Sequence, residues 1–247
     1  MSKNYELLSQ LGGPLTMIQP RPAVATPGIL KVPPTKTLKV TASEEENTLV
    51  QRVFLLPGQG APRSVVLCGV DQRDGSSLAC ARVGAILAAR TPGRLCLVDA
   101  DLRSPSLHAC YGIENESAGN GEVLEPGAAR NFARQIAGSN LWLLSAGSRN
   151  AEGEGIVSPD RLRDRFLEVR EQFDYVLISA PPVNLSADAI MFGQLADGVI
   201  LVIKASSTRR AAAMKAKESL EAANVKLLGA ILSERTFPIP EALYRML

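Results

Sequence analysis

The chain has 247 residues, 46% of them hydrophobic and 21% charged, enough for one large α/β domain with a sizeable buried core. Its 27 basic and 25 acidic residues leave a net charge of +2, which gives no electrostatic case for nucleic acid or an anionic membrane surface as partner. No apolar run approaches the roughly 20 residues that cross a bilayer. The start "MSKNYELLSQLGG" has no signal-peptide core, so a cytoplasmic location is expected.

Residues 1–42 carry Pro14, Pro20, Pro22, Pro27, Pro33 and Pro34 and read as a flexible Pro-rich segment, with a short helix over 5–11 at most. Residues 43–247 read as one domain. "SEEENTLVQRVFLL" (43–56) predicts a leading helix with Ser43 as N-cap, acids in the first turn, and Leu49, Val53 and Phe54 on one face. Pro57 and Gly58 end it. Strands are predicted over 64–69, 94–99, 140–145, 174–180, 198–204 and 226–232. Several are continuous apolar runs, the pattern of strands covered on both faces. Helices are predicted between them, over 75–90, 128–137, 158–172, 186–195 and 208–223, with Pro159 suited to a first helical position. This alternation predicts a doubly wound, mostly parallel sheet with right-handed crossovers and helices on both faces. Ligands in such sheets bind beyond the carboxyl ends of the strands.

At the end of the first strand stands "GVDQRDGSS", with the outline of a phosphate-binding loop. Such a loop needs glycine for close backbone approach, lysine for the β- and γ-phosphates, and Ser or Thr for Mg²⁺. Gly75 and Ser77 supply the last glycine and the hydroxyl, Ser76 occupies the lysine position, and Val70 stands where the first small residue belongs. Arg73, inside the loop, is a candidate substitute cation. The second strand ends in "LCLVDADLRSPSLH", which sets Asp99 and Asp101 at a strand tip beside the first loop. The spacing predicts two carboxylates that jointly hold Mg²⁺ or orient a hydroxyl; a plain Asp turn is the alternative. The four cysteines lack CxxC spacing and have one histidine, His108, to help them, so buried thiols are expected rather than zinc. Trp142 reads as core, and 204–217 as a helix with a basic, solvated side. "RNAEGEG" (149–155) reads as a loop.

The element D-A-D-L-R-x-P-x-L-H, together with "FDYVLISAPPVNLSADAI" and "ADGVILVIKASSTRRAAAMKAKESLEAANVKLLGAIL", resembles the bacterial tyrosine kinases (BY-kinases) of capsular and exopolysaccharide export, P-loop proteins related to MinD and ParA. The resemblance covers about residues 43–247, including the ending "RTFPIPEALYRML". It implies a P-loop-NTPase-like fold and a nucleotide site made of Arg73, Asp74, Gly75, Ser76, Ser77, Leu78 and Arg103. It also implies a catalytic pair, Asp99 and Asp101, that forms with Ser77 the Mg²⁺ site. Two family positions differ: Ser76 replaces the Walker A lysine and Ser179, in "VLISAPP", replaces the Walker B aspartate. The ring-assembly pattern E-x-x-R-x-x-R is matched by Glu46, Leu49 and Arg52, so its middle arginine is lost. The tyrosine-rich tail is absent, Tyr244 being the tyrosine nearest the C-terminus.

The expectation is therefore a regulatory pseudo-kinase of polysaccharide biosynthesis, with ATP or ADP and Mg²⁺ binding weakened. Its expected partners are a membrane-embedded polysaccharide co-polymerase or an active kinase paralogue, which would hold it at the inner face of the membrane, and an oligomer is compatible with this reading. An active ATP-dependent tyrosine autokinase is the first alternative. A MinD/ParA-like positioning ATPase is the second.

Overall fold

Strands that are apolar on both faces must be covered on both faces. The computed structural model, which describes residues 44–56, 60–71, 75–113, 133–136, 138–145 and 159–234, meets that need with helices above and below one sheet. The chain enters through helix α1 (Glu44–Val50), whose last turns widen into a π-helical stretch over Gln51–Leu55. There follow β1 (Ser64–Gly69), α2 (Ser76–Arg90), β2 (Leu95–Asp99) and the short α3 (Leu107–Cys110). Next come β3 (Arg134–Gln135), β4 (Leu141–Leu144), α4 (Pro159–Gln172) and β5 (Tyr175–Ala180). The described part closes with α5 (Asp188–Leu195), β6 (Gly198–Lys204), α6 (Arg210–Ala222) and β7 (Leu227–Ser233).

The sheet has the order β3-β4-β2-β5-β1-β6-β7. Every pairing is parallel except that of β3 with β4. Because successive strand residues face opposite sides, each of the apolar strands feeds two apolar layers. Val66, Cys68, Val98, Val176 and Ile178 join one layer with Phe166, Phe192 and Leu220 from α4, α5 and α6. Val65, Leu67, Leu97, Leu177 and Ile200 join the other with Val50, Val83 and Leu87 from α1 and α2. The doubly wound α/β reading of the sequence is thus the observed architecture.

Two predicted elements differ. The helix expected over 128–137 is contradicted at Arg134–Gln135, which form an edge strand antiparallel to β4 with Arg134 opposite Leu143 and Gln135 opposite Trp142. Ile136 N–H donates to the Leu141 carbonyl at 2.9 Å, so inter-strand pairing overrides the helical spacing of the apolar residues there. The leading helix keeps its expected buried residues Leu49 and Phe54 but turns π-helical at Gln51. The expected 1–42 segment, the Ser43 cap, Arg73, Asp74, the 149–155 loop and Tyr244 lie outside the described residues.

Trp142 is partly buried, meets the Phe173 ring at a tilt of 56° with centroids 5.7 Å apart, and shares the Arg94 guanidinium with it at 4.8 and 4.9 Å. Cys68 and Cys96 are buried strand thiols, and burial pushes Cys68 up to about 12.

Candidate functional site

The carboxyl ends of β1, β2, β5, β6 and β7 bring the chemically active residues together. Between β1 and α2 the backbone turns at Gly75, whose φ of 75° is a left-handed conformation that favours glycine. This turn launches α2 away from the sheet end, so the unpaired amides of its first turn and the positive end of its dipole face the strand tips. Ser76, Ser77 and Leu78 form that first turn, each partly buried. No side chain caps the helix at Gly75.

Ser179, near the end of β5 and 1% exposed, lies between the two neighbouring strands in register, opposite Leu67 of β1 and Asp99 of β2. Its hydroxyl is 3.0 Å from the Ser77 hydroxyl. Ser106, ahead of α3, donates its own hydroxyl to Ser77 Oγ at 2.8 Å. Ser77 is therefore the middle member of a three-hydroxyl chain that ties the first turn of α2 to β5 and to the loop after β2.

Asp99 ends β2 with its side chain fully buried. One carboxylate oxygen accepts the Ser106 and Leu107 amides, both at 2.9 Å, and the other accepts the Asp101 amide at 3.3 Å. Burial pushes its carboxyl up to about 6, against the opposing pull of those amides and with a further upward push from the Asp101 charge. Asp101 is engaged in its own turn, where Oδ1 accepts the Arg103 and Ser104 amides at 3.1 and 2.9 Å. Arg103 is exposed. The two carboxylates thus organise successive turns of one loop, Asp99 from inside and Asp101 at the rim. Tyr111 fastens the segment after α3 to α2 by donating its hydroxyl to the Ala81 carbonyl at 2.8 Å.

Three residues of this end carry no motif signal in the sequence. Ser106 is 29 residues from its partner Ser77, and an isolated serine in a loop carries no periodic signal. Lys204, the last residue of β6, pairs with Glu234 just beyond β7, Nζ to Oε2 at 2.7 Å. A Cβ built on Gly75 would stand 4.0 Å from Glu234 Oε1, which puts this ion pair beside the start of α2. Lys204 reads in the sequence as the start of a basic solvated run, and its place at the strand end is what distinguishes it.

A central parallel sheet with a strand–glycine turn–helix joint at its carboxyl end defines a P-loop-NTPase type of fold, and known proteins agree. The structure of MinD from Pyrococcus horikoshii, complexed with Mg-ADP, superposes with a TM-score of 0.57 at 22% identity, covering 74% of this chain and 77% of that one. The kinase domain of VpsO superposes with a TM-score of 0.67 at 22% identity, over 78% of this chain and 94% of that one. In sequence, the tyrosine-protein kinase YwqD of Bacillus subtilis is 28% identical over 191 residues, spanning 77% of this chain and 80% of the relative. No family model matches the chain. Over most of its length the chain is thus similar to bacterial tyrosine-protein kinases, and it shares their MinD/ParA-like P-loop fold.

Proposed function

We propose that this protein is a regulatory member of the bacterial tyrosine kinases, acting in capsule or exopolysaccharide biosynthesis with its own ATP chemistry impaired. One observation carries the reading: neutral serines occupy both positions where the family pattern has charge, and Ser179 Oγ lies 3.0 Å from Ser77 Oγ. A hydroxyl pair replaces what would be a hydroxyl beside a carboxylate, and Ser76 replaces an ammonium. A charge-assisted contact contributes about 1.5–3 kcal/mol, so each loss weakens binding by roughly 10- to 150-fold. Phosphoryl transfer depends almost wholly on positioning and electrostatics, so losing both organising charges lowers the rate more than the affinity.

The groups that would hold Mg²⁺ already have protein partners, which supports weakened metal binding. The Ser77 hydroxyl is engaged by two other hydroxyls, and the Asp99 carboxylate is turned to three backbone amides. Asp101 Oδ1 is held by two more. A nucleotide bound with little help from metal is the mode these residues favour. The protein would then act by binding, with a membrane-embedded polysaccharide co-polymerase or an active kinase paralogue as partner.

Titration with a fluorescent ATP analogue, with and without Mg²⁺, followed by an ATP-turnover and phosphotyrosine assay, tests the reading. The expected outcome is weak binding that metal does not improve, and no turnover. Ser76→Lys combined with Ser179→Asp is expected to gain at least tenfold in Mg²⁺-dependent affinity. Rapid Mg²⁺-dependent turnover by the unaltered chain refutes the proposal. Recovery of no polysaccharide-export component with the tagged protein from a producing cell refutes its partner half.

A further inference from the structure

We propose that Lys204 is the cation an anionic ligand meets at the start of α2, and that Glu234 is a built-in carboxylate competing for that ammonium. The inference rests on the nucleotide-site reading above and assigns to that site a specificity-determining ion pair.

The placement follows from strand alternation. On β6, Ile200 and Val202 point into the layer that α2 covers, so Lys204, two residues on, projects to the same side. On β7, Ile231 belongs to that layer too, and Ser233 follows it at the same parity. Lys204 and Ser233 are register partners, so both side chains leave the sheet at its carboxyl end, on the side from which α2 departs.

Glu234 comes next, with a φ of 52°, a left-handed conformation uncommon for a residue with a side chain. From there its Oε2 reaches Lys204 Nζ at 2.7 Å. At Gly75, a Cβ would find Ser233 Oγ at 3.9 Å and Glu234 Oε1 at 4.0 Å. The carboxylate therefore sits against the glycine that opens α2, where the helix dipole favours negative charge and the first turn contains no acid of its own.

Two consequences follow from the charges. An ammonium beside the positive end of a helix is unfavourable unless an anion stands with it, and here Glu234 is that anion. A phosphate group at the start of α2 brings more negative charge to the same place than one carboxylate, so it competes with Glu234 for Lys204. The Lys204 side chain is 28% exposed and that of Glu234 55%, so solvent reaches the pair and the exchange needs no rearrangement of the core. In this arrangement Lys204 takes over, from a different strand, part of the task that Ser76 cannot perform. Glu234 sets how strong the incoming anion must be.

The test is a set of calorimetric titrations with pyrophosphate and with ADP, both without Mg²⁺, on the full chain and three variants. Glu234→Gln is expected to bind both ligands about 5- to 20-fold more tightly at low salt, with the gain shrinking as ionic strength rises. Lys204→Met is expected to bind them at least fivefold more weakly. The double variant is expected to match Lys204→Met, because the gain acts through the freed ammonium. Melting temperatures of the ligand-free variants establish that each is folded. Unchanged binding by Glu234→Gln, a double variant that keeps the gain, or no pyrophosphate binding by any of the four proteins at millimolar concentration overturns the proposal. Turnover of Mg·ATP by the unaltered chain would instead refute the pseudo-kinase reading, and leave these titrations to judge Lys204 separately.

Discussion

Asp99→Asn removes an ionisable carboxyl from the buried end of β2 while keeping its size and one acceptor oxygen. In the fold this carboxyl titrates at about 6, raised from 3.8 chiefly by burial. The folded chain therefore holds the proton more tightly than the unfolded chain does. The stabilisation is fully present below pH 3.8 and is lost as pH rises through 6, because between those values the native state binds more protons. The gap amounts to about 3 kcal/mol. His108 works in the opposite sense: burial lowers its folded value, so its contribution is lost as pH falls. Comparing the variant with the unaltered protein cancels His108 and isolates Asp99. Urea unfolding at pH 4, 5, 6, 7 and 8 should show the unaltered chain losing about 2–3 kcal/mol relative to Asp99→Asn between pH 4 and 7, then holding constant. Stability curves that stay parallel across this range would refute the assignment of a costly buried charge to Asp99.

Two further outcomes follow from packing. A Cβ on Gly198 would stand 2.6 Å from Leu228 Cγ and 2.7 Å from the Lys226 carbonyl oxygen, a backbone atom that cannot rotate away. Gly198→Ala is therefore expected to lower stability by about 1–3 kcal/mol in thermal or urea unfolding, whereas the same change at Gly60, with nothing within 4 Å, acts only through its φ of 91°. Arg82 reaches the nearly buried Glu46 at 3.4 Å and ties α1 to α2. Arg82→Met is expected to cost about 1–2 kcal/mol, since the arginine is one-third exposed, and to speed hydrogen exchange in α1 ahead of the rest of the domain.

The central strands were legible because runs such as "VILVI" are apolar on both faces, and only a doubly covered sheet has room for them. β3 was not legible. Two polar residues, Arg134 and Gln135, have no strand pattern, and their conformation is set by β4 rather than by their neighbours in sequence. The π-helical widening at Gln51 likewise leaves no mark in the apolar spacing, which suits either helix type. At the site, Gly75, Ser77 and Asp99 could be read from motif spacing, and Ser179 from its place before Pro181-Pro182. Ser106, Lys204 and Glu234 reach the same end of the sheet from separate loops and strand ends. Contacts between residues 29 or 30 apart follow from topology, which a local pattern does not encode.

Strand order also governs how this chain emerges from a ribosome. β1 is finished by Gly69, yet its neighbours in the sheet are β5, which begins at Tyr175, and β6, which begins at Gly198. Roughly 100 residues of synthesis, on the order of 5–20 s at cellular rates, separate an apolar strand from the first partner able to shield its backbone. During that interval "SVVLCG" is a sticky, unprotected segment, and the nascent protein should be a client of holding chaperones until β5 has cleared the exit tunnel.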